Sequence, residues 1–125
     1  MSYNWKGKTI LIAEDSEMNF ILIKKNLEVS GASILWVKDG KELIESVKKQ
    51  NSIDLILMDI SMPKMDGYTA SKTLRDEGVL VPIIAQSAFS AEEEKEKIIE
   101  AGCNDFISKP INKEELLEKI NSLIQ

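Results

Sequence analysis

Asp54–Gly67, DLILMDISMPKMDG, is the stretch on which the reading of the chain turns. Its opening residues, Asp54–Met58 (DLILM), form a short apolar run that predicts a buried strand. Asp59 follows the run, and Pro63 and Gly67 punctuate the loop before helical spacing takes over at Tyr68–Glu77. The same alternation recurs on either side. Thr9–Ala13 (TILIA), Ser33–Val37 (SILWV) and Pro82–Gln86 (PIIAQ) predict further strands, and the shorter Asp105–Ile107 a fifth. Glu17–Ser30, Lys41–Lys49, Ala91–Ala101 and Lys113–Leu123 carry helical spacing. Gly31, Gly78 and Gly102 act as stop signals. Ser90 and Asn112, each with Glu three residues on, read as helix starts. The run Glu92–Lys97 (EEEKEK) reads as a solvated helix face with i,i+4 pairs.

Strands and helices that alternate in this way predict an α/β fold, a parallel sheet covered by helices on both faces. The strand runs are apolar throughout, as burial on both faces requires. The chain of 125 residues is read as one domain, residues 1–125, with its core at about 9–123, and no linker or repeat divides it.

Composition narrows the function. At 43% hydrophobic and 30% charged, the chain can bury a core and is not of the disordered class. No apolar run reaches the ~18 residues of a membrane span. Residues Met1 to Lys8 lack the apolar stretch of a secretory signal. The lone Cys103 has no internal partner, reads as a small buried residue and fits a reducing cytoplasm. A net charge of −5 with no basic stripe argues against direct nucleic-acid binding. The chain has 0 histidines, so any histidine chemistry must come from another molecule or domain.

In open parallel sheets the ligand site lies beyond the carboxyl ends of the strands. Read there, the sequence offers Glu14 and Asp15, then Asp59, Ser87, and finally Lys109-Pro110. Carboxylates gathered in one place raise one another's pKa, and a hard divalent cation such as Mg²⁺ relieves that repulsion. Lys109 supplies a point charge suited to a phosphate oxygen. A central Asp in such a cluster can act as nucleophile toward phosphorus. Taken singly, Glu14 or Asp15 would read as a helix cap and Lys109 as a surface lysine; together on matching strand ends they read as a site.

Asp59–Gly67 (DISMPKMDG), Glu14-Asp15, Ser87-Ala88 and Lys109-Pro110 together resemble the site motifs of two-component response-regulator receivers. The likeness covers nearly the whole chain. It implies a flavodoxin-like (βα)5 doubly wound sheet of strand order 2-1-3-4-5. It implies that Asp59 accepts a phosphoryl group. Mg²⁺ would be bound directly by Asp15, Asp59 and the backbone carbonyl of Ser61, and by Glu14 largely through water. Lys109 would pair with the phosphoryl group, and Ser87 and the Ala88 backbone N–H would hydrogen-bond it. Lys109–Pro110 would be cis. Ser87 would then draw toward the phosphoryl group and Phe106 would turn into the vacated space, biasing two states of the face made by the fourth helix, fifth strand and fifth helix. Such a receiver catalyses only its own phosphorylation and dephosphorylation. Glu14 stands where many relatives have Asp, and Ser87 where Thr is commoner.

The phosphodonor implied is a histidine kinase or histidine phosphotransfer domain. Apolar residues spread around most of the first helix, wider than a core stripe needs, and Phe20 and Ile21 are expected to dock on that partner. Asp15–Asn19 and Ala101–Pro110 look most like receivers at the C-terminus of hybrid sensor histidine kinases, the alternative being a free-standing single-domain regulator. A phosphatase with an Asp nucleophile would need a second Asp at Ser61. A P-loop ending at Gly7-Lys8-Thr9 would need Gly at Ser2 and a preceding strand. The intact Asp15, Asp59 and Lys109 argue against a receiver-like interaction module that is never phosphorylated.

Overall fold

The computed structural model describes residues 3–50, 52–88 and 91–124, with backbone alone for 91–93. Five strands, β1 (Thr9–Ala13), β2 (Ser33–Val37), β3 (Leu55–Asp59), β4 (Ile83–Ser87) and β5 (Asp105–Ser108), alternate with helices α1 (Glu17–Leu27), α2 (Gly40–Lys49), α3 (Gly67–Asp76), α4 (Ala91–Glu100) and α5 (Lys113–Leu123). The strands form one parallel sheet in the order β2-β1-β3-β4-β5. This is the expected flavodoxin-like arrangement.

Side chains alternate across a strand, so each apolar run divides between two cores. Ile10, Ile12, Leu55, Leu57, Ile84 and Ile107 meet Ile23, Leu27, Leu116 and Ile120 of α1 and α5. Leu11, Ala13, Ile56, Met58 and Ile83 meet Leu43, Val47, Ala70 and Leu74 of α2 and α3. A smaller cluster, Ile60, Ala85 and Ile98, lies under α4. The core reaches beyond the expected bounds: Trp5 and Ile124 are both buried in it. The Trp5 indole N–H donates to Asn121 Oδ1 at 3.1 Å, and its backbone N–H to the Ser30 carbonyl at 2.7 Å.

Element boundaries moved for local reasons. Asp54 precedes β3 instead of opening it, because its carboxylate accepts the Thr9 N–H at 2.8 Å. The strand therefore runs through Asp59, which lies opposite Gln86 of β4. Helix α1 stops at Leu27, and a 3-10 turn covers Glu28–Ser30 before Gly31 takes φ 82°. Asn112 caps α5 as expected, accepting the Glu115 N–H at 3.0 Å. The expected cap Ser90 and the pairs of Glu92 and Glu93 lie outside the described residues. Lys95, Glu96 and Lys97 face solvent, whereas Glu94 accepts a hydrogen bond from the Tyr68 hydroxyl of α3. Cys103 is half-buried, not buried, with its thiol 3.5 Å from Ser71 Oγ. Burial pushes that thiol's pKa up.

Arg75 fastens the end of α3 to the turn before β5. Its guanidinium donates to the Gly102 carbonyl at 2.9 Å, the Val79 carbonyl at 2.8 Å and Asn104 Oδ1 at 2.9 Å. Lysine is a point donor and cannot reproduce this fork. Arg75→Lys is expected to lower stability by about 2 kcal/mol, the scale of two or so lost hydrogen bonds. Urea denaturation checks this, and a change within error would show that the fork contributes nothing.

Candidate functional site

The site forms where β1, β3, β4 and β5 end on the same edge of the sheet. Glu14 and Asp15 follow β1. The Glu14 N–H donates to the Val37 carbonyl at 3.0 Å. The Glu14 carbonyl accepts the Trp36 indole N–H at 2.7 Å. Ser16 then caps α1, accepting the Asn19 N–H. These bonds aim the two adjacent side chains differently: Glu14 is 0% exposed, while Asp15 faces solvent.

Asp59, the last residue of β3, is buried. Its Oδ1 accepts the Ser61 N–H at 3.0 Å, and its Oδ2 accepts from Lys109 Nζ at 2.7 Å. Lys109 Nζ also lies 3.6 Å from Glu14 Oε1. The Lys109 N–H donates to the Ser87 carbonyl at 2.8 Å, which ties the loop after β5 to the end of β4. Lys109–Pro110 is cis. The structure therefore brings together Glu14, Asp15, Asp59, Ser87 and Lys109. Ala88 and Ser61 sit exposed at the rim.

Glu14, Asp15 and Asp59 each offer an oxygen within 4.8 Å of the others. Against these carboxylates stands, among the described residues, the one ammonium of Lys109. Glu14 Oε1 is buried with no hydrogen-bond partner among the described residues. An all-oxygen donor set with surplus negative charge and an unsatisfied buried oxygen fits a hard divalent cation. Burial, and then the neighbouring Asp59 carboxylate, push the Glu14 pKa up to about 7. Burial acts against the Lys109 ammonium, but Asp59 and Glu14 outweigh it and hold its pKa above the ordinary lysine value.

The raised Glu14 pKa has a defined sign. The folded state holds the proton more tightly, so its contribution is fully present below pH 4.5 and is lost as pH rises through about 7. In chelator, wild type is expected to lose on the order of 3 kcal/mol relative to Glu14→Gln between pH 4.5 and 8. Denaturation of both proteins across that range checks it. Parallel curves would show that Glu14 titrates normally.

Phe106 of β5 is half-buried against the small cluster under α4, with Lys119 Nζ 5.1 Å from its ring centroid. The expected docking pair separates. The Phe20 ring stacks on Trp36, with centroids 4.3 Å apart and planes 4° from parallel, so its face is engaged within the chain. Ile21 is 52% exposed, beside the exposed Met18 and Leu22.

Two positioning residues escaped the sequence reading. Trp36 holds the Glu14 carbonyl and carries Phe20, and only its place in an edge strand could have signalled this. Gly67 has its signal in the loop motif. A Cβ there would come within 2.8 Å of both the Asp59 carbonyl oxygen and Ile60 Cα, so only glycine lets α3 start against the end of β3. Its N–H closes the loop on the Ile60 carbonyl at 2.8 Å.

Sheet order and cleft together define a flavodoxin-like domain with an acidic, lysine-bearing site at its carboxyl edge. Residues 10–121 match the response regulator receiver domain, and the chain belongs to that family of two-component signalling proteins. It is 42% identical over 123 residues to hybrid signal transduction histidine kinase I of Dictyostelium discoideum, an alignment covering 92% of this chain and 7% of that protein. The chain therefore spans a small fraction of that relative's length. The receiver domain of the sensor histidine kinase PA1611 from Pseudomonas aeruginosa, solved with a magnesium ion in its active-site cleft, superposes with a TM-score of 0.84 at 34% identity, covering 94% of this chain and 97% of that one. The receiver domain of the Saccharomyces cerevisiae regulator Ssk1, solved with the histidine phosphotransfer protein Ypd1, matches with a TM-score of 0.87 at 29% identity, covering 94% and 88%.

Proposed function

We propose that this chain is a Mg²⁺-dependent phosphoacceptor, in which Asp59 takes a phosphoryl group from a phosphohistidine on a partner. The observation that carries the reading is the buried Asp59 carboxylate held at 2.7 Å by Lys109 beside two further carboxylates. An Asp59 oxygen attacks phosphorus, the O–P bond forms, and the P–N bond to the partner's imidazole breaks with the electron pair leaving on nitrogen. Asp15, Asp59 and the Ser61 carbonyl would hold Mg²⁺, with Glu14 largely through water. The bound ion supplies charge neutralisation for the crowded oxygens. Lys109 passes from the Asp59 carboxylate to a phosphoryl oxygen, and Ser87 and the Ala88 N–H bond the others. The new charge of roughly −1.5 to −2 draws Ser87 in and lets Phe106 turn inward, which changes the α4-β5-α5 face.

The donor is a histidine kinase or histidine phosphotransfer domain, and the parent is a cytoplasmic hybrid sensor histidine kinase. Support comes from the kinase relative and from the receiver solved with a phosphotransfer protein. Docking uses the exposed apolar face of α1 at Ile21, next to Phe20, whose ring stacks on Trp36. The test is incubation with a small-molecule phosphodonor, with and without Mg²⁺, followed by intact mass. A gain of one phosphoryl group that requires metal is expected, and no gain with metal present refutes the reading.

A further inference from the structure

Glu14 is tied to α1 at both its side chain and its backbone. Its side-chain Oε2 accepts the Ser16 N–H at 3.3 Å, and Ser16 caps α1. Its backbone carbonyl accepts the Trp36 indole N–H at 2.7 Å, and that indole stacks on Phe20 of α1 with centroids 4.3 Å apart. Phe20 lies one helical turn after Ser16, its N–H donating to the Ser16 carbonyl at 3.0 Å. These contacts close a ring, from Glu14 through Ser16, Phe20 and Trp36 back to Glu14. Trp36 is a member of none of the three apolar clusters. Its hydrogen bond, the Phe20 stack and Lys38 Nζ at 5.0 Å from its ring centroid are the contacts that orient it. A shift of α1 therefore reaches Glu14 by two routes, and a shift of Glu14 carries the adjacent Asp15 with it.

We propose that Phe20 and Trp36 couple the exposed face of α1, at Met18, Ile21 and Leu22, to the acidic pair Glu14-Asp15. A phosphodonor docked on that face and Mg²⁺ in the cleft then alter each other's affinity by the same factor. Trp36 is a positioning residue. Its N–H fixes the Glu14 carbonyl, and with it the direction in which Asp15 presents its carboxylate. Phe20 acts through Trp36 by setting the plane of the indole. The coupling rests on the phosphoacceptor reading above; the placement of Glu14 by Trp36 does not.

A double-mutant cycle read by calorimetric Mg²⁺ titration of the whole chain tests the coupling. Trp36→Phe keeps an aromatic ring for the stack and loses the N–H. It is expected to weaken Mg²⁺ binding about five-fold, the scale of one hydrogen bond. Phe20→Leu is expected to weaken binding about two-fold to three-fold in wild type and not at all in the Trp36→Phe background. Equal losses in both backgrounds overturn the relay. In the metal-free variants the backbone amide resonances of Glu14 and Asp15 are expected to shift and those of α3 to stay unchanged. Unmoved Glu14 and Asp15 amides overturn the positioning role. Wild type supplies a check that needs no variant: on Mg²⁺ saturation the Trp36 indole N–H resonance is expected to move and that of Trp5 to stay. A fixed Trp36 signal in protein that binds Mg²⁺ overturns the coupling whether or not the variants fold. Wild type that binds no Mg²⁺ would refute the functional reading, while the metal-free amide shifts would still report the placement of Glu14.

Discussion

Asp59→Asn is expected to take up no phosphoryl group from a small donor in Mg²⁺, a loss of at least ~1000-fold in rate, or about 4 kcal/mol of activation free energy. Asparagine keeps the shape of the side chain but replaces the attacking oxyanion with a neutral amide. The fold has no reason to fail. The Ser61 N–H can still donate to the amide oxygen, and one of the carboxylates pressing on Glu14 has gone. Thermal denaturation is therefore expected to stay within a few degrees of wild type. The nearby carboxylates are poor substitutes: Glu14 is fully buried, and Asp15 faces solvent without the lysine that Asp59 holds at 2.7 Å. Intact mass with peptide mapping decides the matter. A variant that still gains the group would move the acceptor to Asp15 or Glu14.

Much of this was open to reading in the sequence because the physics there is local. Five apolar runs broken by helical spacing lead to a covered parallel sheet, and the rule that ligands sit past strand ends brings Glu14, Asp15, Asp59, Ser87 and Lys109 to one edge. The structure gathers those residues there. What stayed hidden depends on direction and on distant partners. Glu14 and Asp15 are neighbours in sequence, yet one is buried and the other exposed, because Trp36, 22 residues away, holds the Glu14 carbonyl. Phe20 looked surplus to the core of α1 until β2 placed an indole against it. Trp5 lies outside the core bounds expected from the sequence, but its indole finds Asn121 on the last helix. Gln86 read as one more residue of a strand, and only the structure shows that its buried amide has no hydrogen-bond partner among the described residues.

Lys109→Ala should move three observables in directions that no simple unfolding could mimic. The ammonium is the one cation within reach of Glu14 and Asp59 among the described residues, at 3.6 Å and 2.7 Å. Taking it away leaves two buried carboxylates facing each other, and a broken buried pair costs about 3–5 kcal/mol. Metal-free stability at pH 8 is expected to fall by that order. The loss should be smaller at pH 5, where Glu14, with its pKa near 7, already carries a proton. Mg²⁺ affinity moves the opposite way. The Coulomb repulsion between a unit positive charge and a divalent ion is about 8 kcal/mol at ~4 Å and an effective dielectric of ~20; even with most of it screened by solvent, its removal should tighten binding about tenfold or more. Phosphorylation by a small donor should slow, because a phosphoryl oxygen loses the charge that meets it. Denaturation in chelator, calorimetric Mg²⁺ titration and the rate of mass gain report the three effects separately. Were stability to shift by less than about 1 kcal/mol and Mg²⁺ affinity not at all, Lys109 would be shown to spend its time in solvent, away from the carboxylates.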